Sequence, residues 1–320
     1  MENTRALTVQ DVADILKIAK NTVYELIKRG EITSYKVGRK VRFTLGDVEA
    51  YIQNSKVIHS VQNLDSSISE QDIRDKKNII STSQDRKEFI ICGQDLMLDI
   101  LSNYISRHPK GTRTLRSYTG SYDSLVSLYQ GKIQAATTHL WDGDTGQYNI
   151  PFVKSLLPGI PAVIIHLTFR MQGFYVAKGN PKKIMTWEDL KRKNITLINR
   201  EKGAGSRVLL DEHLRLLNIY GSSINGYDKE TESHLTIAST VSRGMADVGV
   251  GIEKIASQVE GVDFIPLQKE RYELVIKKED METPVVQAIF DILRSDEFKA
   301  EFRSIGGYDI SEMGKVVAET

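Results

Sequence analysis

The chain has 320 residues, which at about 150 residues per domain suggests two domains. Its 43 basic and 42 acidic residues nearly cancel, and 40% of it is apolar. That composition excludes a chain disordered along its whole length and a uniformly basic nucleic-acid coat.

Cys92 is the single cysteine, so an intrachain disulfide and a cysteine-based zinc site are excluded. The opening run MENTRALTVQDVADILK has no apolar signal core, and the longest apolar stretch, 161–167, is too short to span a bilayer. The expectation is a cytoplasmic protein with no membrane partner.

Charge is uneven along the chain. Residues 1–56 hold ten basic and seven acidic side chains, and between Lys20 and Arg42 there are seven bases against two acids. A small basic module on a neutral body is the charge pattern of a DNA-binding regulator.

In chain order, Val9, Val12, Ala13 and Leu16 fall at helical spacing, with Thr8 as N-cap and Asp11 three residues on. Val23, Leu26 and Ile27 form one face of a second helix over 20–29, which Gly30 stops. Residues 32–43 read as two short strands around Gly38-Arg39, and 47–52 as a third helix. That order predicts a winged helix-turn-helix. Lys20, Asn21, Thr22, Tyr24, Lys28 and Arg29 then face base edges and phosphates, and Lys36, Arg39, Lys40 and Arg42 on the wing clamp the flanking backbone. The plainer alternative is a solvated charged face.

The run LTVQDVADILKIAKNTVYELIKRGEITSYKVGRKVRFTLGDVEAYI resembles the excisionase-type, MerR-like DNA-binding domain over about residues 6–53. Thr8, Ala13, Thr22, Val23, Tyr24, Gly30, Ile32, Gly38, Arg39, Arg42 and Phe43 fit its pattern. Lys17-Ile18-Ala19-Lys20 departs from it, standing where the family commonly has Gly-Val-Ser.

Residues 57–86 are rich in Ser, Asp, Gln and Lys and read as a linker. From residue 87 strands and helices alternate. Strands are expected at 88–92, 112–116, 135–139, 162–169, 173–177, 195–199, 248–251 and 271–276. Helices are expected after most of them, with a final one over 284–304. The expectation is an α/β domain with mostly parallel strands.

Three small polar loops end strands and open helices: Gly93-Gln94-Asp95, Thr119-Gly120-Ser121 and Gly203-Ala204-Gly205-Ser206. Helix N-termini expose unpaired N–H groups, and glycine lets a ligand approach them. Any one loop alone reads better as a capped turn; three in one α/β body shift the reading towards a ligand cleft that holds an anion. Nucleotide-binding fingerprints are missing, the histidines lack metal-ligand spacing, and nothing supports a triad of Ser121, His139 and Asp142. No enzyme, no cofactor and no metal is expected.

Residues 88–277 resemble a type-2 periplasmic-binding-protein-like domain, of the sort grouped with molybdate-binding proteins and fused to cytoplasmic regulators. The runs carrying this are GQDLMLDIL, GSYDSLVSLYQGKIQAATTHLWDGDTGQYNIPFV, LLPGIPAVII, RMQGFYVAKGNPKKI, LINREKGAGSRVLLDEHL and MADVGVGIEKIA. Cys92-Gly93-Gln94-Asp95 departs from the Ser-His-Asp common in related sequences. The resemblance implies a first lobe over 87–172 and 272–320, and a second over 173–271. It implies ligand contacts at Gln94, Asp95, Ser121, Thr138, His139, Asn199, Arg200, Gly205, Ser206, Arg207, His234 and Asp247, with Gly251 near them. Asp95 and Asp247 are expected to orient loops, because a carboxylate facing an anion repels it. The expected function is a homodimeric transcription regulator that binds operator DNA and senses molybdate or tungstate. The alternatives are an amino acid or other organic acid as ligand, with Arg200 and Arg207 pairing its carboxylate, or a molybdenum-cofactor-handling protein.

Overall fold

The computed structural model describes residues 7–28, 32–38, 40–48, 51 and 88–320. The chain divides into two compact units, Met1–Ser83 and Gln84–Thr320. The predicted linker over 57–86 lies outside the described residues.

In the first unit, helix α1 spans Val9–Leu16 and α2 spans Lys20–Lys28. Thr8 and Asp11 form a reciprocal capping box at the start of α1: the Thr8 N–H donates to the Asp11 carboxylate at 2.7 Å, and the Asp11 N–H donates to the Thr8 hydroxyl at 3.2 Å. Lys17 closes α1 in the left-handed conformation, φ 54°, and its N–H donates to the Ala13 carbonyl. A lysine thus takes the position where glycine is the usual choice, and the tight turn forms without one. Strands β1 (Tyr35–Val37) and β2 (Lys40–Arg42) pair antiparallel as the wing. Thr44 and Asp47 repeat the capping box ahead of a helical turn at 45–48. Val12, Val23, Leu26, Ile32, Phe43 and Val48 form the core of this unit.

The second unit contains a nine-stranded mixed sheet. Its strands are β3 (Phe89–Cys92), β4 (Thr114–Ser117), β5 (Ala135–Thr138), β6 (Ala162–Ala177), β7 (Leu197–Arg200), β8 (Glu230–Thr231), β9 (Val248–Ile252), β10 (Val262–Lys277) and β11 (Val316–Glu319). The order is β4-β3-β5-β10-β6-β9-β7-β8, with β11 pairing β6. The helices are α3 (Leu96–Arg107), α4 (Ser121–Tyr129), α5 (Ile150–Leu156), α6 (Gly205–Leu216), α7 (His234–Ser242), α8 (Glu253–Ala256), α9 (Pro284–Arg294) and α10 (Asp296–Ile305).

The expectation of mostly parallel strands needs correction. Parallel pairing holds in the blocks β4-β3-β5 and β9-β7-β8. Between them β6 and β10, each 16 residues long, run antiparallel and join the blocks. The predicted strands at 162–169 and 173–177 are one strand, and β10 starts at Val262 rather than at 271. The polar residues Arg170, Gln172 and Glu270 interrupt the apolar runs, but all three are buried and paired, so the strands continue through them. The predicted final helix is two helices, divided at Ser295, whose hydroxyl accepts from the Phe298 N–H.

Two groups of cores define two lobes. In the first, Met97, Leu98, Leu101 and Ile105 of α3 pack on Phe89, Leu274, Ile276, Ile289, Phe298 and Phe302. In the second, Phe174, Trp187, Leu197, Leu210, Leu214 and Val250 pack together. Each fully buried Leu or Phe contributes about 1.5–3 kcal/mol of transfer free energy. These cores anchor the strand ends at which the polar loops emerge.

Candidate ligand cleft and DNA-binding surface

A cleft of about 630 Å³ opens where the C-terminal ends of the parallel strands meet. The β3–α3 and β4–α4 loops and His139 after β5 line it from the first lobe. Arg200, the start of α6 and the segment Glu232–Leu235 line it from the second.

The helix starts differ in a way that matters. Asp95 caps α3, accepting from the Met97 N–H at 2.8 Å, and Ser233 caps α7, accepting from the Leu235 N–H at 3.2 Å. Helices α4 and α6 follow Gly120 and Ala204, and neither receives a side-chain cap. Their first N–H groups have no intrahelical acceptor and carry the positive end of the helix dipole. The two starts approach each other from opposite lobes: the Tyr122 N–H donates to the Gly203 carbonyl at 3.0 Å. A Cβ on Gly120 would fall 2.9 Å from that carbonyl oxygen, and one on Gly205 would fall 2.5 Å from the His139 ring. Glycine at these positions permits the close approach.

Beneath the cleft, at the crossing of β6 and β10, lies a buried charge cluster. Arg170 donates to Asp95 and to Glu270, each at 2.6 Å, and its guanidinium lies 4.0 Å from the centre of the Tyr272 ring. His139 Nδ1 hydrogen-bonds Glu270 at 2.6 Å, the Gln172 amide donates to the same carboxylate oxygen, and Tyr308 donates to Asp95 at 2.9 Å. Burial alone would push the Glu270 carboxyl up. The charges of Arg170 and His139, with the hydrogen bonds from His139 and Gln172, outweigh it and hold the group at about 2.

Arg200 bridges the lobes, donating to Gln94 of the first lobe at 2.6 Å and to Glu201 at 2.7 Å. Burial, together with the nearby charges of Arg200, His139 and Arg170, pushes His234 well below its ordinary range, so its imidazole is neutral. Its buried Nδ1 has no hydrogen-bond partner among the described residues.

Gln94, Asp95, Ser121, His139, Arg200, Gly205 and His234 therefore come together on the cleft wall. Thr138, Asn199, Ser206, Arg207 and Asp247 are not on that wall. Thr138 and Ser206 are buried with unpartnered hydroxyls. Asn199 donates to the Tyr227 carbonyl. Arg207 pairs with Asp211 and Glu230, each at 3.0 Å, and stacks on Tyr227. Asp247 accepts from the Thr196 N–H at 2.7 Å and pairs with Lys182. Gly251 packs against Tyr175. Sequence reasoning missed Arg170, Glu270, Gln172, Tyr118 and Tyr272. The available signal was a charge set inside an apolar strand, where it survives only if paired.

In the first unit, Val23 and Leu26 turn α2 onto the core, which leaves Lys20, Asn21, Thr22, Tyr24 and Lys28 exposed. On the wing, Lys36 lies on β1, Lys40 is exposed, and half-buried Arg42 donates to the Val41 carbonyl at 2.9 Å. Arg29 and Arg39 lie outside the described residues.

Known proteins share both parts. Residues 102–294 match the model of the PBP superfamily domain, and residues 6–56 match that of a helix-turn-helix domain. The chain belongs to the PBP superfamily. It is 40% identical to the uncharacterized protein YvgK of Bacillus subtilis over the full length of both. In fold, it is similar to a substrate-binding protein assigned to phosphate ABC transport, from Clostridium perfringens, with bound phosphate. That match has a TM-score of 0.52 and 13% identity, covering 70% of this chain and 99% of that one. It is also similar to a histidine kinase sensor domain with similarity to periplasmic binding proteins. There the TM-score is 0.50 and the identity 12%, covering 69% of this chain and 97% of that one. Among the described residues, no helix is long and apolar enough to cross a membrane. A helix-turn-helix domain joined to a binding-protein domain is the architecture of a ligand-responsive DNA-binding regulator rather than of an enzyme.

Proposed function

We propose that this protein is a one-component transcription regulator. Its first unit binds operator DNA in the cytoplasm as part of a homodimer, through α2 and the wing. Its second unit senses a small anion. The observation that carries this reading is the pair of helix starts without side-chain caps, α4 and α6, which meet at the cleft from opposite lobes. Neutral His234 and the Arg200 guanidinium stand beside them. Backbone N–H groups and helix dipoles stabilise an anionic head group without a bound cation.

The family resemblance puts molybdate or tungstate forward as the effector. A second reading, an organic acid or amino acid, is favoured by the size of the cleft. Either ligand bridges the lobes and changes operator affinity only by preferring one lobe arrangement over another. Asp95 and Glu270 act as positioning groups, since both are engaged by Arg170 beneath the cleft. The test is fluorescence anisotropy of the full chain on labelled DNA from upstream of its own gene, with and without each anion. A change of affinity with one anion supports the reading. Identical isotherms with the whole panel, or binding no tighter than to random DNA, defeat it.

A further inference from the structure

We infer that the effector is an organic anion with a planar, apolar body, not a bare oxyanion. This rests on reading the cleft as an anion site and narrows it. The opposed starts of α4 and α6 are the place for a head group, while the whole cleft measures about 630 Å³. That lies within the range, about 300–1,000 Å³, that encloses a drug-sized organic molecule.

Beside the polar side chains of Glu232, Lys254 and Gln258, the remaining wall carries an apolar set that an inorganic anion does not use. Leu96 and Tyr118 line it from the first lobe, and Leu235 and Ile255 from the second. Leu96 is 49% exposed, Tyr118 61% and Leu235 50%. Leu96 and Leu235 stand in the first turns of α3 and α7, at positions that face the cleft rather than either core. Single exposed apolar side chains are ordinary on a protein surface. Here they share one concave wall and come from both lobes, an arrangement that marks a binding groove.

Tyr118 is also held in place. Its hydroxyl donates to Asp99 at 2.8 Å, and the Arg116 guanidinium lies 4.8 Å from the ring centre. Arg116 is in turn fixed by Asp99 at 2.6 Å and by the Gly93 carbonyl at 2.7 Å. An exposed ring already fixed in one orientation loses little entropy when a ligand stacks on it. Asp99 lines the cleft as well, but Arg116 balances its charge, so it does not repel an anionic ligand.

The test pairs anions that share a head group and differ in body: inorganic phosphate against phenyl phosphate, and acetate against phenylacetate. Isothermal titration of the full chain is expected to show at least one aryl anion binding about tenfold or more tightly than its small partner, about 1.4 kcal/mol. Tyr118→Ala and Leu235→Ala, one in each lobe, are each expected to weaken the aryl anion more than its small partner. Tyr220→Ala, 81% exposed and outside the cleft, leaves both affinities as they were. Equal or tighter binding of the small anion overturns the inference and leaves the anion site standing. An aryl advantage that survives both cleft substitutions also overturns it. If none of the four anions binds, the inference is overturned, while the anion-site reading stands or falls on molybdate, tungstate and the amino acids.

Discussion

Glu270→Gln removes one negative charge from the crossing of β6 and β10 and keeps the side chain's shape. Arg170 then faces Asp95 alone, and His139 loses its anionic partner. The magnitude follows from the carboxyl itself. It titrates at about 2 in the fold against an ordinary 4.5. At about 1.4 kcal/mol for each tenfold, that gap is worth about 3 kcal/mol at neutral pH. Removing one partner of a buried ion pair independently suggests about 3–5 kcal/mol. Urea denaturation followed by tryptophan fluorescence measures it, because both tryptophans, Trp141 and Trp187, lie in the second unit and report on that unit alone. With a urea slope of about 1–3 kcal/mol/M, the midpoint falls by about 1 M or more. Because folding depresses this group, its contribution is complete above pH 4.5 and is lost as the pH falls towards 2. Wild type and variant therefore converge in acid. Equal midpoints at pH 7, or a gap that stays constant below pH 4.5, would refute the charge-cluster argument.

Other substitutions probe other parts. Gly93→Ala places a Cβ 1.9 Å from the Thr137 hydroxyl at φ 147°, so this variant should lose several kcal/mol in a melting experiment, on the order of an overpacked core residue or more. Lys28→Ala should weaken operator binding for all sequences alike and lower the salt slope of affinity by about 1; an unchanged slope would remove Lys28 from the phosphate contacts. His213 lies between Trp141 and Trp187, 4.5 and 4.6 Å between ring centres. Burial pushes it below its ordinary 6.5. Its stabilising contribution is present above that value and fades as the pH falls, so wild type should lose more stability below pH 6.5 than His213→Phe does.

The first unit was legible because its signals are local. The capping pair Thr8/Asp11, the spacing of Val9, Val12 and Ala13, and the turn at Gly38 each act within a few residues. Lys17 in the left-handed region was not legible, because the residue is exposed and it is its neighbours Leu16 and Ile18 that pack on the core. In the second unit the loops that open α3, α4 and α6 could be read from Gly and Ser at strand ends. The long strands β6 and β10 could not. Arg170, Gln172 and Glu270 look like strand breaks until their partners, about 100 residues away in sequence, are seen to satisfy them. Arg207 differs, because one partner, Asp211, stands only four residues on in the same helix and was there to be read. A basic residue in a helix's first turn looked available to a ligand, yet Asp211, Glu230 and Tyr227 occupy it.

The proposed anion bridges the starts of α4 and α6. Thermal melting of the full chain tests it against molybdate, tungstate, phosphate, sulfate, phenyl phosphate, phenylacetate and a set of amino acids, in wild type and in Gly205→Ala. Binding to the folded state raises the melting temperature by mass action. The Cβ added at Gly205 would meet the His139 ring at 2.5 Å and push the α6 start out of place. At least one anion is expected to stabilise the wild type, and the variant, folded but unresponsive, to lose that shift. An equal shift in both proteins, or none with any anion, would contradict the proposed bridging.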